Sequence, residues 1–327
     1  MRFISTLLFL SLAMLHEKQV KSVLNKHKQR DNWFLDEYSI NPYEGCSCNC
    51  LYCYIRGSKY GENMDEGLVV KTNALEVLEK QLAARAKKNQ YGIVTVGSAI
   101  DAYMKHEKKL RLTEGVLKLL LKYRFPVFIS TKTQLILRDI EILKQIDKSA
   151  ILPEDLKNSL GCGVILSTSI STINSEVCNM LEPGAATPKE RLRTLKLLHQ
   201  EGFLTGVNAI PILPFISDTE EELEEIIVAA MQAEAEYVLI GGLTLFGSQA
   251  ADSKILYFNF LKRYNPLLIQ KYEKLYGINF FPPKQYLHEL KEKSEKLCAK
   301  HGIRTNILNR NAEGTQRNTT VSQNKLF

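Results

Sequence analysis

Long apolar runs are scarce in this sequence: past the opening MRFISTLLFLSLAML, charge interrupts every apolar stretch within a few residues. A membrane-spanning helix needs about 20 consecutive apolar residues, so no span is expected. The opening run, with its single basic residue, has the outline of a signal peptide. Two phosphate-binding patterns are missing as well: no GxGxxG follows the first strand candidate, and GxxxxGK(S/T) does not occur. Dinucleotide and P-loop readings lose their basis. Histidine is sparse, six in all and none beside the cysteines, so a closed four-ligand zinc site lacks its complement. The seven cysteines are odd in number, with four bunched between 46 and 53, which makes a poor disulfide framework. Thiols kept for metal fare badly in an oxidising compartment. The expectation is therefore a cytoplasmic protein with a hydrophobic N-terminal segment, export being the alternative.

What the chain does have is length: 327 residues at 45% hydrophobic can bury a sizeable core without a stapling metal. The formal charge of +7, from 43 basic and 36 acidic residues, permits a nucleic-acid partner without requiring one. Its densest basic stretch, HEKQVKSVLNKHKQR at 16 to 30, suits a phosphate backbone or, more simply, a solvated helix face.

Between 65 and 245 short β-branched runs alternate with helical patterns, the signature of βα units. The runs are GLVV (67–70), YGIVTVG (91–97), FPVFIST (125–131), CGVILSTSI (162–170), GVNAIPIL (206–213) and EYVLIGGL (236–243), six buried parallel strands. Thr187, Pro188 and Glu190 spell a capping box with a first-turn proline, and the acids from Asp218 suit a positive helix end. Such a chain makes a doubly wound sheet or a barrel, and both place their site at the C-terminal strand ends. Those ends carry Ser98 and Asp101, Thr131 and Lys132, Ser167 and Ser169, Asn208, then Gly241 and Gly242. The expected organisation is an N-terminal extension (1–30), a barrel with its cysteine loop (31–245), a helical region (246–308) and a disordered tail (309–327).

The stretch NPYEGCSCNCLYCY, 41 to 54, holds Cys46, Cys50 and Cys53 in a C-x3-C-x2-C spacing. Three thiolates on a tight loop can hold three irons of a [4Fe-4S] cube and leave the fourth open to an exogenous ligand. Cys48 alternates with these ligands in an extended loop, so its side chain is expected to point away from them.

This spacing resembles that of the radical S-adenosylmethionine enzymes, and the stretch as a whole resembles NPYxGCxHxCxYCY of their DNA repair photolyase-like group, distant relatives of spore photoproduct lyase. Four further segments are similar to that group's: VGSAIDAYMKHEKKLRLTEGVL with Asp101, Tyr103 and Glu107; STKTQLILRDIEIL with Lys132, Arg138 and Asp139; SISTINSEVCNMLEPGAATPKERL with Glu182 and Arg191; and VNAIPILPFISD. The resemblance implies a partial (β/α)6 TIM-type barrel, in agreement with the six strands. It implies that Cys46, Cys50 and Cys53 hold the cluster, that S-adenosylmethionine chelates the open iron, and that reductive cleavage yields a 5′-deoxyadenosyl radical which abstracts hydrogen from a substrate. An electron donor such as flavodoxin or ferredoxin goes with that chemistry.

By the same resemblance Tyr52 lies against the adenine, and Ser98 to Asp101 replace the GGE-like turn near the methionine, with two glycines missing. Lys132 contacts the cofactor or pairs with Asp139 or Glu182. Ser169 and Asn208 reach ribose or carboxylate, or simply bond neighbouring strand ends. Arg191 grips the cofactor carboxylate or pairs with Glu182. Cys48 stands where the group often has histidine. Cys178 and Tyr103 are the candidates for returning hydrogen to a substrate radical, whereas Cys162 reads as a core residue. Cys298 is alone in the helical region, so no auxiliary cluster of the peptide-modifying kind is expected. A nucleic-acid base or lesion is the leading substrate; a peptide or small molecule is the alternative within the enzyme reading, and a non-catalytic iron-sulfur or nucleic-acid-binding protein the alternative outside it.

Overall fold

A computed structural model of the chain describes residues 15–58, 61 and 67–308; most of the apolar start and the whole tail from 309 lie outside them. Two short strands come first, β1 (Leu15–Lys18) and β2 (Leu24–Lys26), then β3 (Asp36–Ile40), β4 (Tyr43–Glu44) and β5 (Leu68–Lys71). Next come α1 (Ala74–Lys87), β6 (Ile93–Val96), α2 (Glu107–Leu110), α3 (Leu112–Tyr123), β7 (Val127–Ser130), α4 (Ile140–Ser149) and β8 (Val164–Ser169). They are followed by α5 (Ser175–Leu181), α6 (Pro188–Gln200), β9 (Leu204–Ile212), α7 (Glu220–Gln232) and β10 (Tyr237–Gly242). Three helices close the described chain: α8 (Ser253–Tyr264), α9 (Leu268–Tyr276) and α10 (Lys284–His301).

The main sheet runs β10-β9-β8-β7-β6-β3-β2, its six strands from β3 to β10 parallel and β2 antiparallel at one edge. This is a partial (β/α)6 barrel. Its other edge, β10, receives Val238 N–H to Arg304 C=O at 2.8 Å from the segment after α10. Phe34, Phe128, Ile165 and Tyr237 gather in one apolar cluster at the N-terminal strand ends, with the Phe34 and Phe128 rings 5.1 Å apart. The opposite, C-terminal end keeps the polar residues.

Six barrel strands are present, but the first is not GLVV. That run forms β5, which belongs to a separate three-stranded sheet with β1 and β4. The true first strand is β3, whose sequence DEYSI hides behind two acids and a serine. The acids are matched by the basic segment before them: His27 Nδ1 lies 3.6 Å from Asp36 Oδ2, and Arg30 pairs with Glu37, which also accepts Ile93 N–H at 2.7 Å. Residues 16 to 30 are thus no helix face. They supply β1 and β2, and several of their cations are paired inside the fold.

Helix starts follow their punctuation. Thr187 and Glu190 close a capping box with Pro188 in the first turn of α6, while Thr219 caps α7 ahead of Glu220, Glu221 and Glu222. Asp218 is no cap; its carboxylate accepts Phe215 N–H at 2.7 Å and Tyr286 Oη–H at 2.8 Å, tying the loop after β9 to α10.

Burial, offset in part by His27, pushes the Asp36 carboxyl up to about 6. The unfolded value is about 3.9, so the neutral acid is the better-folded form. Its contribution is complete below about pH 4 and is lost as pH rises through about 6. Asp36→Asn, neutral throughout, should gain on the native chain as pH rises, by roughly 2–3 kcal/mol at about pH 8. Urea midpoints of both proteins across pH measure this, and a pH-independent difference would rule out a buried acid as the cause.

Candidate active site

The cysteine loop begins at Gly45, which turns with φ +83° where an added Cβ would lie 2.8 Å from Gly67 C=O. It then winds through successive turns, Asn49 N–H to Cys46 C=O (3.3 Å), Cys53 N–H to Cys50 C=O (3.2 Å) and Arg56 N–H to Cys53 C=O (3.0 Å). Its far side docks on the end of α5: Leu51 N–H donates to Leu181 C=O at 2.8 Å and Gly184 N–H to Cys48 C=O at 3.0 Å. A Cβ on Gly184 would sit 1.9 Å from Ser47 C=O, which explains the glycine of Glu182-Pro183-Gly184. The loop rests on an apolar bed that includes Leu181, Leu213, Leu243 and Tyr257.

Beside the loop, one carboxylate organises the C-terminal strand ends. Glu182, 3% exposed, accepts the Arg191 guanidinium from α6, the Tyr52 phenol from the cysteine loop, and Lys132 Nζ at 3.3 Å from the end of β7. Lys132 Nζ also reaches Ser169 Oγ (3.0 Å) and Tyr52 Oη (3.2 Å), lying 5.5 Å from the Tyr52 ring centroid. Tyr52 Oη and Ser171 Oγ are 2.9 Å apart. Burial alone would raise the Glu182 carboxyl, but Lys132 and Arg191 outweigh it and hold it below the usual carboxylate range. Burial likewise opposes the Lys132 ammonium, yet Glu182 keeps it above its ordinary value. The group is a buried, fully ionised ion-pair network.

The other sequence candidates divide. Cys178 is buried against this network, its sulfur 3.3 Å from Arg191 Nη2 and 3.6 Å from Glu182 Oε2; burial, with Glu182 beside it, pushes the thiol up to about 11. Asn208 donates to Ser130 Oγ (3.0 Å) and Ser167 Oγ (2.9 Å), and its carbonyl oxygen is buried with no partner. Ser98 accepts Asn41 Nδ2–H at 2.9 Å on its hydroxyl and Tyr54 Oη–H at 2.7 Å on its carbonyl, which locks the strand end of β6 to the cysteine loop. Tyr103 is not at the mouth. It is wholly buried in the core shared by the helices, under the Arg138 guanidinium at 5.9 Å. The Asp101 carboxylate is occupied by the protein itself, accepting Tyr103 N–H (2.8 Å), Thr131 Oγ–H (2.8 Å) and Lys132 N–H (2.7 Å). Cys162 precedes β8 and packs on the apolar floor of the barrel.

Cys46, Cys50 and Cys53 fit an iron-sulfur cube by their chemistry. All are free thiols on one loop at the barrel mouth. Burial pushes Cys50 and Cys53 up, so thiolates there call for a bound cation. Among the described residues no three His, Cys, Asp or Glu side chains converge where one ion would sit; a cube needs no such convergence, being ligated at separate corners.

The Radical SAM superfamily matches residues 40–230, more than half of the chain. The chain belongs to the radical SAM superfamily. Among curated relatives, an uncharacterized protein of Mycobacterium tuberculosis is 29% identical over 294 residues, 88% of this chain and 81% of that protein. An uncharacterized protein of Methanocaldococcus jannaschii is 28% identical over 188 residues, 56% of this chain and 63% of that one. Among solved structures, a variant of spore photoproduct lyase superposes with a TM-score of 0.61 at 15% identity, over 88% of this chain and 79% of that chain. Another variant of that lyase, with bound AdoMet and dinucleoside spore photoproduct, superposes with a TM-score of 0.56 at 15% identity, over 88% and 78%. At such identity the likeness is one of fold.

For this radical SAM enzyme the motif residues were visible in the sequence, but not their division of labour. Glu182 was noted there only as a partner, and Ser171, Asn41 and Tyr54 were missed. The Glu-Pro-Gly turn is the signal that marks Glu182, since a glycine needed for close backbone approach puts its neighbours against the cysteine loop. Truncating Glu182→Ala strands two buried cations. The cluster-free protein should lose about 3–5 kcal/mol of stability, with Glu182→Gln losing less because it keeps hydrogen bonds. Urea midpoints decide; a loss under about 1 kcal/mol would mean the network is effectively solvated.

Proposed function

We propose that this radical SAM enzyme removes a hydrogen atom from a base or lesion in a nucleic acid, in the cytoplasm, with flavodoxin or ferredoxin as electron donor. Cys46, Cys50 and Cys53 would hold the [4Fe-4S] cluster. When bound, the reduced cluster and S-adenosylmethionine supply the hydrogen-abstracting 5′-deoxyadenosyl radical. The protein's part is binding and orientation. Lys132 and Arg191 offer their cations to the cofactor carboxylate in exchange for Glu182, and Tyr52 shapes the seat beside them. The unpartnered Asn208 carbonyl oxygen accepts from a ribose hydroxyl, with Ser169 and Ser98 as further hydrogen-bonding groups at the strand ends. Cys178, its thiol pushed up to about 11, keeps its hydrogen at neutral pH and is the protein group suited to return one.

The observation that carries the nucleic-acid assignment is where the charge sits. Residues 246–308 hold eleven basic and five acidic residues, a surplus of six out of the chain's seven. From α8 through α9 to the first residue of α10, Lys254, Lys262, Arg263, Lys271, Lys274 and Lys284 are interspersed with a single acid, Glu273. Among the described residues the recorded hydrogen bonds of this group go to carbonyl oxygens and Asn259, not to carboxylates. Phe280 and Phe281, partly exposed with their rings packed on Phe246 at 5.1 and 5.8 Å, precede Lys284 in the chain, and Leu245 N–H to Phe280 C=O at 2.9 Å joins that loop to the end of β10. Lys271 lies 5.6 Å from the ring of exposed Phe215, in the loop after β9. Cations interleaved with aromatic faces beside a barrel mouth suit a phosphate backbone and unstacked bases. A fold relative that holds a dinucleoside spore photoproduct supports the same reading.

Anaerobically reconstituted protein should bind about four irons and, reduced with dithionite, release 5′-deoxyadenosine from S-adenosylmethionine. A loaded, reduced sample that yields none sinks the radical assignment. Single-stranded oligonucleotides should bind with an affinity that falls steeply with salt, and Lys271→Glu with Lys274→Glu should flatten that slope. Absence of binding at low salt turns the substrate to a peptide or small molecule.

A further inference from the structure

We propose that Phe215 is a stacking platform for an unpaired base of a single-stranded nucleic acid, with Lys271 beside it for the adjoining phosphate. The inference deepens the nucleic-acid assignment and rests on it.

Among the described residues, Leu35 and Phe215 are the apolar side chains that take positive φ, both at +61°. That backbone crowds any residue with a Cβ and is an outlier for a bulky one. For Leu35 burial offsets the cost, since it is 6% exposed in the apolar cluster of the barrel floor. Phe215 gains less. It is 38% exposed, while Leu213 before it and Ile216 after it are buried under the cysteine loop. A strained conformation that leaves an aromatic ring in water points to a use for the ring outside the fold.

The loop around the ring is fixed. Asp218 Oδ1 accepts Phe215 N–H at 2.7 Å, and Asp218 Oδ2 accepts Tyr286 Oη–H at 2.8 Å. Tyr272 Oη–H donates to Pro214 C=O, and the Phe215 and Tyr272 rings meet edge-on with centroids 5.6 Å apart. Ser217 Oγ accepts Leu213 N–H at 2.9 Å and donates to Ser171 C=O at 2.8 Å, and Ser171 Oγ lies 2.9 Å from Tyr52 Oη. Hydrogen bonds thus run from the Phe215 loop to the phenol that meets Glu182 and Lys132, which puts the ring on the rim of the barrel mouth. Lys271 Nζ stands 5.6 Å from the ring centroid. An exposed aromatic ring with a cation at its side matches one nucleotide, base on ring and phosphate on ammonium. Every base has a π-face, so such a platform tolerates any sequence. Inside a duplex both faces of each base are covered by its neighbours, and the ring has nothing to stack on.

The test measures binding of the full-length protein to oligothymidylate and to a long duplex at low salt, for the native chain and its Phe215→Leu, Phe215→Ala, Phe215→Gly and Phe215→Trp variants. Phe215→Leu keeps apolar bulk without a π-face. It should weaken oligothymidylate binding by about fivefold or more, with the salt dependence and the affinity for duplex unchanged. Phe215→Gly should unfold at higher urea than Phe215→Ala, because glycine takes positive φ without strain, yet both should bind oligothymidylate as weakly as Phe215→Leu. Phe215→Trp should bind at least as tightly as the native chain, with the added fluorescence quenched by the stacked base; the native tryptophan, Trp33, packs at the barrel floor. A Phe215→Leu loss below about fivefold overturns the proposal, as does an equal loss on duplex, which would mean that the ring acts by holding Lys271 or the fold. Equal urea midpoints for the Gly and Ala variants, or an unquenched Phe215→Trp, overturn it as well. A native chain that binds no oligothymidylate removes the nucleic-acid assignment itself, so the two failures are distinguishable.

Discussion

A carboxylate buried at the mouth of a barrel is stable only if cations are buried with it, because each ion loses several kcal/mol of hydration. Glu182 sets that condition here, and the local structure follows from it. The Glu-Pro-Gly turn places the carboxylate and docks the cysteine loop; α6 delivers Arg191, β7 delivers Lys132, and the loop returns Tyr52 to the same point. Four segments distant in sequence are held in register by one charge. Arg191 is held further by Ala186 C=O at 2.7 Å and Ser169 C=O at 2.9 Å, so its place does not depend on Glu182 alone.

A second buried carboxylate performs a purely structural version of the same task. Glu107, wholly buried, accepts the Tyr43 phenol from the cysteine segment, Arg138 Nη2–H at 3.0 Å and Thr113 N–H at 3.1 Å. Arg138 turns its other edge to Asp139. Motif residues that look equally functional in the sequence therefore divide by location: Glu107, Arg138, Asp139 and Tyr103 brace the outside of the barrel, while Lys132, Glu182 and Arg191 meet at its mouth.

That division marks how far the sequence could be read. The Thr187 capping box was legible because its bonds are local. The strand β3 was not, since its acids are matched by His27 and Arg30, partners that only the fold brings to them. Lys132 illustrates the limit: the sequence left Asp139 and Glu182 open as partners, and the choice is made by Arg138, which occupies Asp139. Cys48, expected on an extended loop, lies instead in a turning one, where Asn49 takes positive φ and the Cys48 sulfur is buried 3.7 Å from Asp101 Oδ2.

Charge is partitioned by the same logic across the whole molecule. Inside, the cations at 132, 138 and 191 each have a carboxylate within reach, and the early basic segment is partly matched by Asp36, Glu37, Glu44 and Asp155. From α8 through α9 to the first residue of α10, six basic residues meet one acid. A fold that matches cations where burial demands it has no such demand at the surface, where water solvates a lysine at little cost. Surplus cations in the interior would be a defect of stability; on the exposed rim they cost little and attract an anion. The net charge of +7, uninformative as a total, gains meaning from its distribution, since six of the seven surplus positive charges fall within residues 246–308.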